Sequence, residues 1–144
     1  MTWSGLGRLK LPFQVSRLPR QEDFDKSQLT SDRTRFMRNM RLWKEAPQLS
    51  AIAPTVGWVN AALTSCRKLR SLNDTTPLRC PALLVIAGQD KVVSNEAIQQ
   101  FARFVPGAVT VSINGAKHDI LAESDTFRDQ FFAAFDAFVA DNIN

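Results

Sequence analysis

Two residues with the chemistry of a proton-transfer pair follow short apolar stretches of the chain. Asp90 comes shortly after the run Ala82–Ala87, and His118 comes shortly after Val109–Ile113. A carboxylate that accepts a hydrogen bond from one ring nitrogen of a histidine fixes the tautomer of the ring. The other ring nitrogen is then free to remove a hydroxyl proton. The two residue types therefore indicate general-base chemistry if the fold brings them together.

Each of these residues also has an ordinary explanation when it is taken alone. An aspartate after a strand and a glycine commonly caps a turn or a helix, and a histidine beside Asp119 is commonly a surface residue. When Asp90 and His118 are considered together, their placement in the predicted fold favours catalysis instead. Asp90 and His118 follow consecutive predicted strands, in the chain order acid and then histidine.

The elements around the pair predict a strand–helix–strand–helix unit in the C-terminal half. The run Ala82–Ala87 is uninterruptedly apolar, which is typical of a strand buried on both faces of a parallel sheet. Ser94 is the predicted N-cap of a helix that ends at Pro106. The second strand alternates Val109, Val111 and Ile113, and a last helix is expected to bury Phe127, Phe131, Ala134, Phe135 and Phe138. This order implies parallel strands, whose carboxyl ends lie side by side.

The N-terminal half predicts two amphipathic helices and no strand. The first helix is expected to begin with Ser31 as N-cap and to stop before Pro47. The second is expected to start after Pro54 and to run to about Leu72. Residues 1–30 are predicted to form an irregular segment, and residues 73–81 are predicted to form a linker rich in turn residues.

Composition bounds the class of protein. The chain has 144 residues, of which 44% are hydrophobic and 22% charged, with a net charge of +4. These values fit one globular domain or part of one, and they argue against a disordered chain or a dedicated polyanion binder. A nucleic-acid or membrane-surface protein is a minor alternative that rests on the basic face of the first helix, Arg38, Arg41 and Lys44. A solvated helix surface explains the same charges.

Cysteine and histidine usage argues against a zinc site of the usual kind. Cys66 and Cys80 do not form a CxxC pair, and the chain has a single histidine. Two free thiols suit a reducing compartment, so a cytoplasmic protein is expected, with peripheral contact to membranes as an option. The run Ala82–Ala87 is too short for a transmembrane segment. An organelle transit peptide is the alternative, because several basic residues precede the first acidic one, Glu22.

Four segments resemble one known family. Pro81–Val93 and Gly115–Leu121 resemble the acid and histidine motifs of the lysophospholipase and monoglyceride lipase group of α/β-hydrolases. Leu29–Met40 and Ala53–Ala62 resemble the cap region of bacterial lysophospholipases, which precedes the strand that bears the acid. The resemblance is most specific over residues 29–140.

The resemblance implies a partial α/β-hydrolase fold, with a helical cap over residues 1–75 and a βαβα core over 76–144. It implies that Asp90 is the acid and His118 the general base of a catalytic triad, and that Trp58 lies in the cap near the acyl or glycerol pocket. The implied substrate is a lipid ester, a lysophospholipid or a monoacylglycerol, with no metal or organic cofactor.

The chain departs from this family in one essential motif. The nucleophile elbow G-x-S-x-G is absent from the sequence, and Ser4, Ser65 and Cys66 do not occur in a comparable context. We therefore expect a C-terminal portion of a serine hydrolase that is inactive alone, whose serine belongs either to an upstream part of a longer enzyme or to a second chain. The alternative is a non-catalytic interaction module. In either case an exposed strand edge is expected to favour self-association.

Overall fold

The computed structural model describes residues 6–9, 21–49, 54–71 and 80–142. This part of the chain contains, in order, α1 (Arg33–Glu45), α2 (Val56–Arg70), β1 (Ala82–Ala87), α3 (Asn95–Phe104), β2 (Ala108–Ile113) and α4 (Asp125–Asn142). Short 3-10 helices lie at Leu6–Arg8, Gln21–Lys26, Pro47–Leu49 and Ile120–Ala122. Much of the predicted irregular N-terminal segment and most of the predicted linker 73–81 lie outside the described residues.

The predicted strand–helix–strand unit is confirmed. β1 and β2 pair in parallel, in register from Ala82 opposite Ala108 to Ala87 opposite Ile113, and α3 connects them. Ser94 is the N-cap of α3, since its side chain accepts a hydrogen bond from the backbone N–H of Ala97 at 3.1 Å. Both strands therefore end at the same edge of the sheet.

Helices cover both faces of this sheet. Successive side chains of a strand point to opposite faces. Ala87 belongs to a buried cluster against which Phe127 and Phe131 of α4 pack, whereas the preceding Ile86 lines a groove together with Ala102 of α3. α3 and α4 therefore lie on opposite sides of the strands, which gives three layers.

The sheet and α4 are less buried than the apolar patterns predict. In β1 only Ile86 and Ala87 are buried, and no residue of α4 is buried, with Phe135 45% exposed. The expectation of a strand buried on both faces along its length is wrong for the described residues. The physical reason is that a sheet of only two strands is too small to cover the apolar faces of the elements that pack against it. The buried cluster Ala87, Ile113, Ala116 and Ile120 lies at the carboxyl ends of the strands.

The two N-terminal helices form as predicted, with one correction at a cap. The N-cap of α1 is Asp32, whose side chain accepts from the N–H of Arg35 at 2.9 Å, and not Ser31 as expected. The hydroxyl of Ser31 instead donates a hydrogen bond to the side chain of Glu123. α2 begins after Thr55, and its main described contacts are with the 3-10 helix at Leu6–Arg8. No helix in the described ranges combines the length and apolar character needed to cross a bilayer.

Candidate active site

Two loops meet at the carboxyl end of the sheet. The loop after β1 and the loop after β2 are joined by backbone hydrogen bonds from Gly88 N–H to Ile113 O (2.9 Å) and from Gln89 N–H to Ala116 O (2.8 Å). These bonds continue the parallel pairing beyond the strands. They bring together Asp90, which follows Gln89 directly, and His118, which lies two residues after Ala116.

Two glycines allow this close approach. A Cβ atom on Gly88 would lie 3.0 Å from Asn114 Cα and 3.1 Å from both Gly115 N and Ile113 O, which are backbone atoms at the end of β2 and the start of the second loop. Gly115 has φ of +90°, a left-handed conformation that L side chains rarely adopt. The sequence therefore places glycine where the two loops touch and where the second one turns.

Asp90 and His118 form the hydrogen bond that the sequence predicts. Asp90 Oδ2 lies 2.8 Å from His118 Nδ1, and the aspartate side chain is 5% exposed against 34% for the histidine. The other oxygen, Oδ1, accepts from the backbone N–H groups of Val92 (2.7 Å) and Val93 (3.1 Å). The carboxylate is thus held on one oxygen by its own loop and presents the other oxygen to the imidazole.

The same contacts set the acidity of Asp90. Burial favours the neutral acid, but the hydrogen bonds from His118, Val92 and Val93 favour the carboxylate and outweigh burial. The pKa of Asp90 consequently lies below its ordinary value of 3.8. An ionised Asp90 accepts the proton of Nδ1, which leaves Nε2 of a neutral imidazole as the free base.

A second acidic residue, Glu123, which the sequence analysis did not single out, contacts the histidine loop. Glu123 is fully buried, and its carboxylate accepts from the N–H of Ser31 at 3.0 and 3.1 Å and from the N–H of Lys117 at 2.9 Å. The Ser31 hydroxyl donates to it at 2.6 Å, which explains why Ser31 does not cap α1. From the sequence, Glu123 looks like an ordinary acidic residue at the start of α4.

A family comparison covers both loops. A protein-family model described as "Serine aminopeptidase, S33" matches residues 5–125, a range that contains Asp90 and His118. The chain belongs to the S33 serine aminopeptidase family of α/β-hydrolases. The parallel pair of strands between helices is compatible with part of that fold.

Two curated relatives agree with the predicted resemblance. The chain is 30% identical to lysophospholipase L2 of Escherichia coli (strain K12) over 134 residues, which cover 86% of this chain and 35% of the relative. It is 27% identical to the probable lysophospholipase L2 of Haemophilus influenzae over 108 residues, which cover 75% of this chain and 34% of the relative. The chain thus spans about a third of the length of these S33-family relatives, and its resemblance to lysophospholipase-like hydrolases is confirmed.

Neither Trp58, the third predicted site residue, nor the residues that the sequence analysis rejected as nucleophiles takes part in the Asp90–His118 contact. Trp58 lies in the first turn of α2, outside the strand–helix–strand unit, and is 63% exposed. Ser65 and Cys66 lie further along α2, and both are exposed. Ser4 lies outside the described residues. Within the described ranges there is no group of three or more His, Cys, Asp or Glu side chains arranged to hold a metal ion.

Proposed function

We propose that this chain supplies the acid and the general base of a serine hydrolase that cleaves carboxylic ester bonds of lysophospholipids or monoacylglycerols. One observation carries the proposal: Asp90 Oδ2 lies 2.8 Å from His118 Nδ1, on loops that leave adjacent parallel strands. The lysophospholipase L2 relatives support the choice of substrate class.

The proposed mechanism uses each nitrogen of His118 once. Asp90 accepts the Nδ1 proton and keeps Nε2 unprotonated. Nε2 removes the proton of the serine hydroxyl as its oxygen attacks the ester carbonyl, and then gives that proton to the departing alcohol. The same nitrogen then takes a proton from a water molecule that attacks the acyl carbonyl; the bond between the acyl group and the serine oxygen breaks, the fatty acid leaves, and Nε2 returns the proton to the serine oxygen. Ionised Asp90 stabilises the imidazolium that forms in each step.

In this proposal the serine is not one of the 144 residues of this chain. The sequence contains no G-x-S-x-G motif, and the relatives are about three times as long as the matched region. We propose that the nucleophile and the oxyanion-hole donors belong to the remainder of a longer protein or to a second chain. Residues 1–75 would then act as the cap, and 76–144 as the C-terminal part of the core.

Trp58 is proposed as a contact for the acyl chain in that cap. Its ring is largely exposed at the start of a helix outside the core, where an apolar ligand can cover it. We expect Trp58→Ala to raise KM for a lysophospholipid in the assembled enzyme while the melting temperature of the chain stays within about 3 °C, as for most surface substitutions. A lower melting temperature with unchanged KM would contradict this role.

A cytoplasmic site of action, with access to the membrane surface where lysophospholipids reside, completes the proposal. The support is chemical: Cys66 and Cys80 are both free and exposed, which suits a reducing compartment. Labelling of the two thiols in intact cells by a permeant and an impermeant maleimide would test the location.

The decisive experiment measures fatty-acid release from lysophosphatidylcholine. The full chain is assayed alone and after co-expression with the part of Escherichia coli lysophospholipase L2 that lies outside the region matched here. We expect no turnover by either polypeptide alone and turnover by the pair. In the pair, His118→Ala and Asp90→Ala should each lower kcat by roughly 10³-fold or more, whereas the exposed Asp136→Asn on α4 should not.

Other results would point elsewhere. A soluble pair without turnover on esters would favour the non-catalytic interaction module, and turnover only on an aminoacyl p-nitroanilide would favour a peptidase. Turnover by this chain alone would show that one of its own residues is the nucleophile, with Ser4, Ser65 and Cys66 as the first to replace. Light scattering of the chain alone tests the proposed self-association through the strand edge.

A further inference from the structure

We propose that Glu123 is a positioning residue for His118, and that it acts by fixing the backbone of the histidine loop against residues 27–31. The inference rests on the proposed general-base role of His118. It concerns a buried acidic group that the mechanism above does not use.

The burial of Glu123 needs an explanation. Its side chain is 0% exposed, and a carboxylate removed from water destabilises the fold unless hydrogen bonds replace its hydration. Both oxygens have such bonds. Oε1 accepts from the N–H of Lys117 at 2.9 Å, Oε2 accepts from the hydroxyl of Ser31 at 2.6 Å, and the N–H of Ser31 is shared between them. The carboxylate therefore links two chain segments that are far apart in sequence.

The linked segments hold the backbone of His118 and of both its neighbours by hydrogen bonds. Three consecutive backbone N–H groups of the loop have partners: Lys117 donates to Glu123, His118 donates to Gln28 O at 3.4 Å, and Asp119 donates to Leu29 O at 2.8 Å. The Lys117 ammonium also donates to a backbone carbonyl in this segment, that of Ser27, at 2.8 Å. We call residues 27–31 the clasp.

The clasp is itself anchored at the start of α1. The hydroxyl of Thr30, which is 2% exposed, donates to Ala122 O at 2.7 Å and accepts from the N–H of Asp32 at 3.0 Å. Arg35 donates to the carbonyl oxygen of Glu123. The backbone and the side chain of Glu123 are thus both bound to residues around the beginning of α1.

Backbone support matters because the position of the imidazole relative to Asp90 depends on the position of the loop. The His118 side chain is 34% exposed, and its contact with Asp90 is a single hydrogen bond of 2.8 Å. A shift of about 1 Å in the loop would take the two atoms beyond hydrogen-bonding range and misplace Nε2. The carboxylate of Glu123, one residue from His118 through the N–H of Lys117, limits that shift.

The test uses the fact that His118 is the single histidine in the chain. In the full chain labelled with nitrogen-15, the imidazole gives one Nδ1–H signal, whose exchange with water reports on the bond to Asp90. We expect Glu123→Gln to accelerate this exchange by about tenfold or more, because an amide cannot accept from every donor that now faces the carboxylate. Glu96→Gln, on the exposed surface of α3, is the matched control and should leave the exchange rate unchanged.

A purely structural role would give a different result. In that case Glu123→Gln would lower the melting temperature while the Nδ1–H exchange of the folded protein stayed as in the wild type, and the proposal would be wrong. If Glu123→Gln does not fold, the Ser31→Ala variant tests the proposal. This substitution removes the hydroxyl that donates to Glu123 and keeps the hydrogen bonds from the backbone N–H of residue 31. A several-fold faster exchange is expected for Ser31→Ala, and an unchanged rate would overturn the inference.

Failure of this inference is distinguishable from failure of the proposed function. The exchange measurement needs neither serine nor substrate, whereas the proposed function fails when the co-expressed pair shows no His118-dependent turnover. If that pair is active, Glu123→Gln should lower kcat and leave KM within about twofold, as expected for a misplaced general base.

Discussion

Oδ2 of Asp90 lies 2.8 Å from Nδ1 of His118, a residue 28 positions further along the chain. The contact exists because two parallel strands end together and their loops remain hydrogen-bonded for two more residues. It gives the carboxylate and the imidazole a fixed relationship, from which the first two predictions follow.

Replacing the carboxylate should change the tautomer of the imidazole. With Asp90 ionised, the neutral His118 ring carries its proton on Nδ1. In Asp90→Asn the amide N–H₂ can donate to Nδ1, which favours the proton on Nε2 and removes the free base. Nitrogen-15 shifts of the single histidine at about pH 8 should therefore exchange the roles of the two nitrogens. Unchanged shifts would show that the contact does not set the tautomer.

Acid should remove the stabilisation that Asp90 provides. The pKa of Asp90 is lowered in the folded chain, so its ionised form stabilises the fold at pH values above the ordinary pKa of 3.8. This contribution is lost as the pH falls below 3.8 and through the lowered pKa. Urea unfolding of wild type and Asp90→Asn should thus differ more at about pH 6 than at about pH 2.5. Asp136→Asn should show no comparable change with pH, and equal differences at both pH values would contradict the prediction.

A methyl group at Gly88 should force the two loops apart. Its Cβ would lie within 3.1 Å of three backbone atoms at the end of β2 and the start of the second loop, none of which can rotate away. We expect Gly88→Ala to destabilise the fold by about 1–3 kcal/mol and to weaken the His118 Nδ1–H signal. The control is Gly7→Ala, where the nearest atom would be 3.9 Å away. A melting temperature equal to that of the control would show that the loops accommodate the methyl group.

Arg35 should dominate the acidity of Asp125 at the start of α4. Its Nη2 lies 2.6 Å from Asp125 Oδ1, and Arg128 Nη1 lies 3.0 Å from the same oxygen. The hydrogen bond from Arg35 is the largest cause that holds the pKa of Asp125 below 3.8. Carboxyl NMR titration should show the pKa rising towards the ordinary value in Arg35→Gln and by less in Arg128→Gln. The reverse order would show that Arg35 is a weaker partner than the geometry indicates.

Much of this fold was readable from the sequence because the relevant signals are local. The apolar run that predicts a strand from Ala82 to Ala87 has the bounds that the structure gives to β1. The cap at Ser94 depends on a hydrogen bond to a residue three positions later. Once both strands were assigned, parallel pairing put Asp90 and His118 at one edge, so their proximity required no knowledge of distant packing.

Tertiary structure alone decided the role of the residues whose partners are far away. Ser31 looks like a helix cap in the sequence, but it bonds to Glu123, 92 positions later, and Asp32 becomes the cap. The prediction that Phe135 is buried was wrong for a related reason. A helical pattern shows which side chains share a face, but not whether another element covers that face. Local hydrogen bonds and periodicity are encoded within a few residues. Burial and long-range hydrogen bonds arise only when separate segments come together, so the support of His118 by Glu123 became visible only in the folded chain.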